Sequence, residues 1–479
     1  MRKKTLLFPL IIFILLAIFF ICFHPIAILD TDDWTFIHRR RLPIPVINAW
    51  NPIKVFPEFF MGVISYVGAY LIYPFLGKYV FSLSIANGLF ICFVLTIYFS
   101  EFHLLISSKN SLSIIQNVFA TVFFICLHFI IVAHPGSDNL YLFYSLDLTC
   151  MYHYTLSTII NAALVMHMIR YGGYHNFGLF SKKHKLLVLT WTYFAIFSSL
   201  YTNMIIAIYV GVELLFALIN DCSEHSFKLP DFVKRHRPHL IVLFVWLSSL
   251  LFESTGGRSG GKEDDFLTSL GEAFANIATW VKSFNLCFII LFCVVILLWL
   301  VLVNDKNAGS AFRYFLAFVL TTLYIVLLSS VVNSSYVTRI DVMIASDFWL
   351  LLIMMLALCR IVSIIKSGDK ILAGLALVAV VITFCVIGTY QESNYINLPY
   401  NKCEALAEDV IAQFKTAEQN GEKEFDLVVP DFGTDNNWPY NLAQSDDFSK
   451  ALYRHNITKE KIDVRTMILS ADKYSQFIE

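Results

Sequence analysis

One feature of this chain decides its fold class: apolar runs long enough to cross a bilayer recur from one end to the other. About 17 to 25 mostly apolar residues cover some 30 Å of hydrocarbon. Such runs lie near 5–24, 80–100, 113–133, 154–170, 284–303, 313–332, 344–365 and 370–389. Residues 186–219 form a 34-residue apolar stretch with Ser198, Ser199, Tyr201, Thr202 and Asn203 at its middle, which reads as a helical hairpin. Residues 239–252, between basic residues and a Gly-rich loop, read as a further crossing. Of 479 residues, 57% are hydrophobic and only 15% charged, against about 25% charged in soluble domains. The expectation is an all-α polytopic membrane protein. A formal net charge of −1 without long basic runs excludes the electrostatic footprint of nucleic-acid binding. The ten cysteines contain no CxxC pair and read mainly as small hydrophobes.

Basic residues collect on the cytoplasmic side of membrane proteins. Arg2, Lys3 and Lys4 precede the first run, and clusters recur at Arg170 with Lys182, Lys183 and Lys185, at Lys228, Lys234, Arg235 and Arg237, and at Lys366 and Lys370. They share one face if the remaining apolar run, 57–76, stays in the outer interface or re-enters. That gives about eleven spans, a cytoplasmic N-terminus and an external C-terminal region. The rival arrangement makes 57–76 a span and places the N-terminus outside. The long first run with no small-residue cleavage site reads as an anchor, not a cleaved signal peptide. The chain divides into a transmembrane domain, 1–389, and a polar region, 390–479. The latter holds 16 acidic against 9 basic residues. Within it CEALAEDVIAQFKTAEQ and DDFSKALYRHN have helical spacing, while FDLVVPD and IDVRTMIL read as strands. The expectation is a small extracytoplasmic α/β domain.

The polar chemistry gathers on the outer face. The first external loop, 25–79, opens with Asp30, Asp32 and Asp33 directly after the first span, where a carboxylate can deprotonate a hydroxyl or hold a divalent cation; acidic residues also mark an ordinary solvated helix end. Arg39, Arg40, Arg41 and Lys54 follow on the face that the charge bias leaves poor in cations. Arg forks suit a phosphate or pyrophosphate head group, and equally the anionic heads of the bilayer. Four prolines with Trp34, Asn48, Trp50 and Asn51 make this loop stiff. A second external loop, 253–265 (ESTGGRSGGKEDD), reads as a Gly-hinged lid, and an amphipathic, interfacial helix follows over 265–283. Tyr336, Arg339 and Asp341 occupy a short external turn; Asp138, Asp147 and His153 lie in another outer loop. Ionisable residues near the midplane are almost absent, which disfavours an ion-coupled transporter.

DTDDW, WNPIKVFPE and the tail's NNWPYN and LYRHNIT resemble bacterial polytopic glycosyltransferases of the glucosyltransferase GtrII-like kind, within the GT-C superfamily. The resemblance covers the layout of the whole chain and these short segments. It implies transfer of a sugar from a polyprenyl-phosphate donor to a polysaccharide acceptor at the outer membrane surface. An acidic residue of the first loop, Asp32 or Asp33, would be the catalytic base. Arg39, Arg40, Arg41, Lys54 and Arg339 would neutralise the donor phosphate. Asp30, Trp34, Trp50, Glu58, Arg258 and Tyr336 would contact substrate, the two tryptophans by stacking on a sugar ring. Metal dependence varies in the superfamily, so Asp30, Asp32 and Asp33 could bind Mg2+ or Mn2+. Two rival functions are a polymerase or ligase acting on lipid-pyrophosphate glycans and a non-catalytic lipid-glycan flippase.

Overall fold

The computed structural model describes residues 2–110, 112–224, 227–257, 265–303 and 308–478. The molecule is mostly helical. Among the described residues, six helices are long and apolar enough to cross a membrane: Val55–Leu76, Tyr79–Lys109, Leu200–Ser223, Phe312–Val332, Ile340–Ile364 and Gly368–Val386. Several other expected crossings form shorter helices, among them Leu7–Phe23 and Ile114–Ile130 and Arg237–Glu253. The run near 154–170 becomes the 14-residue helix Ser157–Arg170 because its first turns are wound as π-helix over Met151–Leu156. The long apolar stretch breaks where its polar residues cluster, into Lys182–Ile196 and Leu200–Ser223.

These helices carry apolar side chains outward. Leu286, Ile290, Leu297 and Val301 line one side of Leu286–Leu302 and are 67%, 55%, 61% and 78% exposed. Soluble monomers rarely expose contiguous apolar patches beyond a few hundred Å2, so this surface belongs against lipid and the chain is a helical membrane protein. At the centre stands Ile340–Ile364, whose apolar window is 89% buried by its neighbours. The amphipathic helix Phe266–Lys282 meets Leu286–Leu302 at 91°. Asn285 fixes that corner: its side chain accepts from the Cys287 N–H and donates to the Ala133 carbonyl at 2.6 Å, while its own N–H donates to Ile131 at 2.7 Å.

Residues Val55–Leu76, expected to stay in the interface, form 22 helical residues of spanning length. The helix ends at Gly77 in the left-handed conformation (φ 70°), which glycine adopts without a Cβ clash. Its middle presses on the first loop so closely that a Cβ on Gly62 would lie 2.3 Å from the Arg39 carbonyl oxygen. Its later turns meet the C-terminal region, with the Tyr70 hydroxyl donating to the Arg454 carbonyl at 2.9 Å.

The C-terminal region folds as its sequence pattern predicts. Helix Tyr400–Gln419 precedes strand β1 (Glu424–Val429); helix Ser445–Arg454 leads into β2 (Asp463–Leu469), which pairs parallel to β1 from Glu424 opposite Asp463 to Val429 opposite Leu469. Parallel strands need a crossover of this kind. The unit docks on the first loop and on the start of Tyr79–Lys109: Glu408 accepts from the Tyr79 N–H at 3.1 Å, and Trp34 packs 4.9 Å from the Phe448 ring. The opening aspartates and the C-terminal region therefore lie on the same face of the molecule.

Candidate functional site

Asp30 occupies the N-cap position of the short helix Thr31–Ile37. This helix is clamped by the C-terminal region. The Thr31 N–H and hydroxyl both donate to the Pro439 carbonyl, at 2.8 and 2.5 Å, and the Thr31 hydroxyl accepts from the Asn441 N–H at 2.8 Å. One turn on, the Thr35 hydroxyl donates to Asp447 at 2.6 Å and His38 lies 3.3 Å from the same carboxylate.

The clamp holds the aspartates against the segment that begins at Asp147. Asp33 is fully buried and accepts from the N–H and hydroxyl of Thr149, at 2.8 and 2.9 Å, and from the Leu29 N–H at 3.5 Å. Asp147 caps the next short helix, Leu148–Cys150, by accepting from the Cys150 N–H. Asp30 is buried, and neither of its oxygens has a hydrogen-bond partner of ordinary geometry among the described residues, although the Trp438 indole is close enough to oppose the rise in its pKa. Burial, then the charge of Asp147, pushes the carboxyls of Asp30 and Asp33 well above the usual range. Burial also raises Asp147 to about 6, with Asp32 adding to the rise and Arg339 opposing it. Four carboxyls share one electrostatic environment, and Asp32 is the half-buried one that keeps part of its surface open.

Arg339, just before helix Ile340–Ile364, meets the same segment. Its Nε and Nη2 donate to the two oxygens of Asp341 at 3.0 and 2.6 Å, and Nη2 also donates to the Cys150 Sγ at 3.2 Å. The rings of Tyr154 and Tyr336 lie 5.0 Å from the guanidinium carbon, and Tyr201 is 5.7 Å from Tyr336. The segment from Asp147 to Tyr154 thus contacts both the carboxyls, through Thr149, and a half-buried cation in an aromatic cup, through Cys150 and Tyr154. Such a pair can accept a proton at the carboxyls and stabilise a departing anion at the cation.

The other sequence candidates divide. Arg41 and Glu58, expected at the donor phosphate and the substrate, are paired with each other. Arg41 donates to Glu58 at 2.6 Å and to the Pro52 carbonyl at 2.7 Å, and Asn51 donates to the second Glu58 oxygen at 2.6 Å. Their charges brace the Pro-rich loop. Lys54 is buried with its Nζ 3.4 Å from His153 Nδ1. Arg39 covers the Phe36 ring at 4.5 Å. Arg40 is exposed, donates to the Tyr66 hydroxyl at 3.0 Å and edges an open groove of about 570 Å3 walled by Val63, Val67 and Leu71. Trp34 is 0% exposed, so the expectation that it stacks on a sugar is corrected: it is core. Trp50 is 56% exposed and lies against Gly257. Arg258 and most of the expected lid, 258–264, lie outside the described residues. Among the described residues no three His, Cys, Asp or Glu side chains converge as a metal site.

Sequence reasoning missed the part played by Cys150, Thr149, Tyr154 and Tyr201. Asp147 three residues before Cys150 is the spacing of a helix cap, the one local signal for this turn. No family model matches the chain, and no curated protein or solved structure does either.

Proposed function

We propose that this chain is a GT-C-type glycosyltransferase of a bacterial plasma membrane, moving a sugar from a polyprenyl-phosphate donor to a cell-surface polysaccharide acceptor on the outer face. In this reading the chain crosses about eleven times, Val55–Leu76 lies along the outer face, and the C-terminal region is an extracytoplasmic domain. The contacts of Val55–Leu76 with the first loop at Arg39 and with the C-terminal region at Arg454 support that placement. The sequence resemblance supplies the reaction class.

The observation that carries the reading is that one short segment meets both charges: Asp147 feels Asp32 and Arg339, Thr149 donates to Asp33, and Cys150 accepts from Arg339. Asp32 is the base: its carboxylate takes the proton of an acceptor hydroxyl as that oxygen attacks the anomeric carbon. The bond from that carbon to the donor's phosphate oxygen breaks, and its electrons leave with the phosphate. Arg339, with Nε and Nη2 committed to Asp341, offers Nη1 to the departing charge. Asp33 positions the base by fixing its helix to Thr149. Arg40 and its groove suit the approach of the donor's phosphate and apolar chain, and exposed Trp50 suits a sugar face.

Purified protein given polyprenyl-phosphate sugar and acceptor should release polyprenyl phosphate, and Asp32→Asn should slow that release by about a hundredfold or more with thermal unfolding unchanged. Turnover by Asp32→Asn within twofold of the parent would refute the assignment.

A further inference from the structure

A cavity of about 490 Å3 lies at the far end of the helices from Asp32 and Arg339. Its lining includes Lys109, the last residue of a helix whose first residue, Tyr79, touches the C-terminal region. At 1.5 Å per residue those 31 residues span about 45 Å, more than the hydrocarbon thickness. Arg360, near the end of the helix that Arg339 opens, lines the same cavity. The cavity therefore belongs to the opposite membrane face and is no part of the acidic site.

Its chemistry is that of an anion site with a greasy wall. Lys109, Arg313 and Arg360 stand against Glu213, the single carboxylate among its described lining residues. Arg313 Nη1 lies 3.4 Å from Glu213 and the guanidinium covers Phe216 at 4.8 Å. The Arg313 Nε is buried with no hydrogen-bond partner among the described residues. An orphaned donor on a charged group costs free energy unless something accepts from it. The other wall is apolar: Ile296 and Trp299 from Leu286–Leu302, and Leu356 from the central helix. Leu286–Leu302 is a peripheral helix whose Leu300 and Val301, next to Trp299, are strongly exposed, so the apolar side of the cavity adjoins lipid.

We infer that this cavity binds a phosphate-headed amphiphile from the leaflet opposite the acidic site, its phosphate between Lys109 and Arg313 and its chain along Ile296, Trp299 and Leu356. Arg forks match phosphate oxygens bidentately, and the volume is that of a small-molecule site. The inference needs only a membrane-embedded chain, not the proposed transferase activity.

The test titrates delipidated, full-length protein in detergent with dioleoyl phosphatidic acid, dioleoylglycerol or inorganic phosphate and reads the bound species by native mass spectrometry. Phosphatidic acid should bind and dioleoylglycerol should not. Arg313→Gln should weaken phosphatidic acid binding about tenfold. Lys109→Gln, at an exposed position that does not threaten folding, should weaken it about threefold. Glu213→Gln should tighten it. Inorganic phosphate displacing the lipid at equal concentration would assign the site to free phosphate and overturn the apolar half of the inference. Equal binding of the two dioleoyl lipids, or unchanged affinity in folded Lys109→Gln and Arg313→Gln proteins, would overturn it entirely.

Discussion

The Thr35 hydroxyl donates to the Asp447 carboxylate at 2.6 Å across 412 residues of sequence. This bond ties the helix that begins with the acidic residues to the C-terminal α/β unit. Burial alone would raise the pKa of Asp447, but the hydrogen bonds from His38 and Thr35 outweigh it and hold the carboxyl below its ordinary value. A depressed carboxyl pKa stabilises the folded state above the unfolded pKa and loses that contribution as pH falls through the folded one. Docking should therefore hold at neutral pH and loosen below about pH 4, read as protease sensitivity between 390 and 400. Asp447→Ala should show the same sensitivity at pH 7 and lose transferase turnover without any change at Asp32.

The Arg41–Glu58 pair makes a different prediction from the one its sequence suggests. Arg41→Met leaves Glu58 buried without its cation, a change that costs about 3–5 kcal/mol when a buried pair is broken. Thermal unfolding should shift downward accordingly. Arg41→Met with Glu58→Leu should recover most of that loss, which a phosphate-binding role for Arg41 would not allow for activity.

The two tryptophans of the first loop should separate cleanly. Trp34→Ala empties a core position and should cost about 3–5 kcal/mol, measured by denaturation in detergent. Trp50→Ala should change stability by about 0.5 kcal/mol or less and raise KM for the acceptor.

Asp147 carries the opposite pH sign from Asp447. Its folded pKa of about 6 lies above the unfolded value, so its contribution is fully present below about pH 4 and is lost as pH rises through about 6. Asn keeps the cap and removes the charge. Asp147→Asn should therefore raise the unfolding temperature at pH 7.5 and leave it unchanged at pH 4.

What the sequence revealed followed the range of the interactions. The C-terminal helices and strands are written in local periodicity, 3.6 for Tyr400–Gln419 and 2 for β1, and both form where the pattern places them. The break at 197–199 sits where polar residues interrupt an apolar run. The orientation of the aspartates was not legible: Thr31, Asp33, Trp34, Thr35, Phe36 and Ile37 are all buried around helix Thr31–Ile37, because the C-terminal region covers the side that would otherwise meet water. Only Asp32 stays half-buried, and no periodicity marks it out. The Arg41–Glu58 brace and the Arg339–Cys150 contact join residues 17 and 189 apart, through a turn-rich loop and a bundle whose packing no local pattern encodes.

The clamp on Thr31 by Pro439 and Asn441 also sets an order of events during biosynthesis. A ribosome has to add some four hundred further residues after the aspartates, and residues 439–441 must reach the aspartates' own side of the bilayer, before that short helix is gripped. Until then its carboxyls lack the grip that aligns them, and the finished site joins a residue near position 31 to residues near 440 on one face of the molecule.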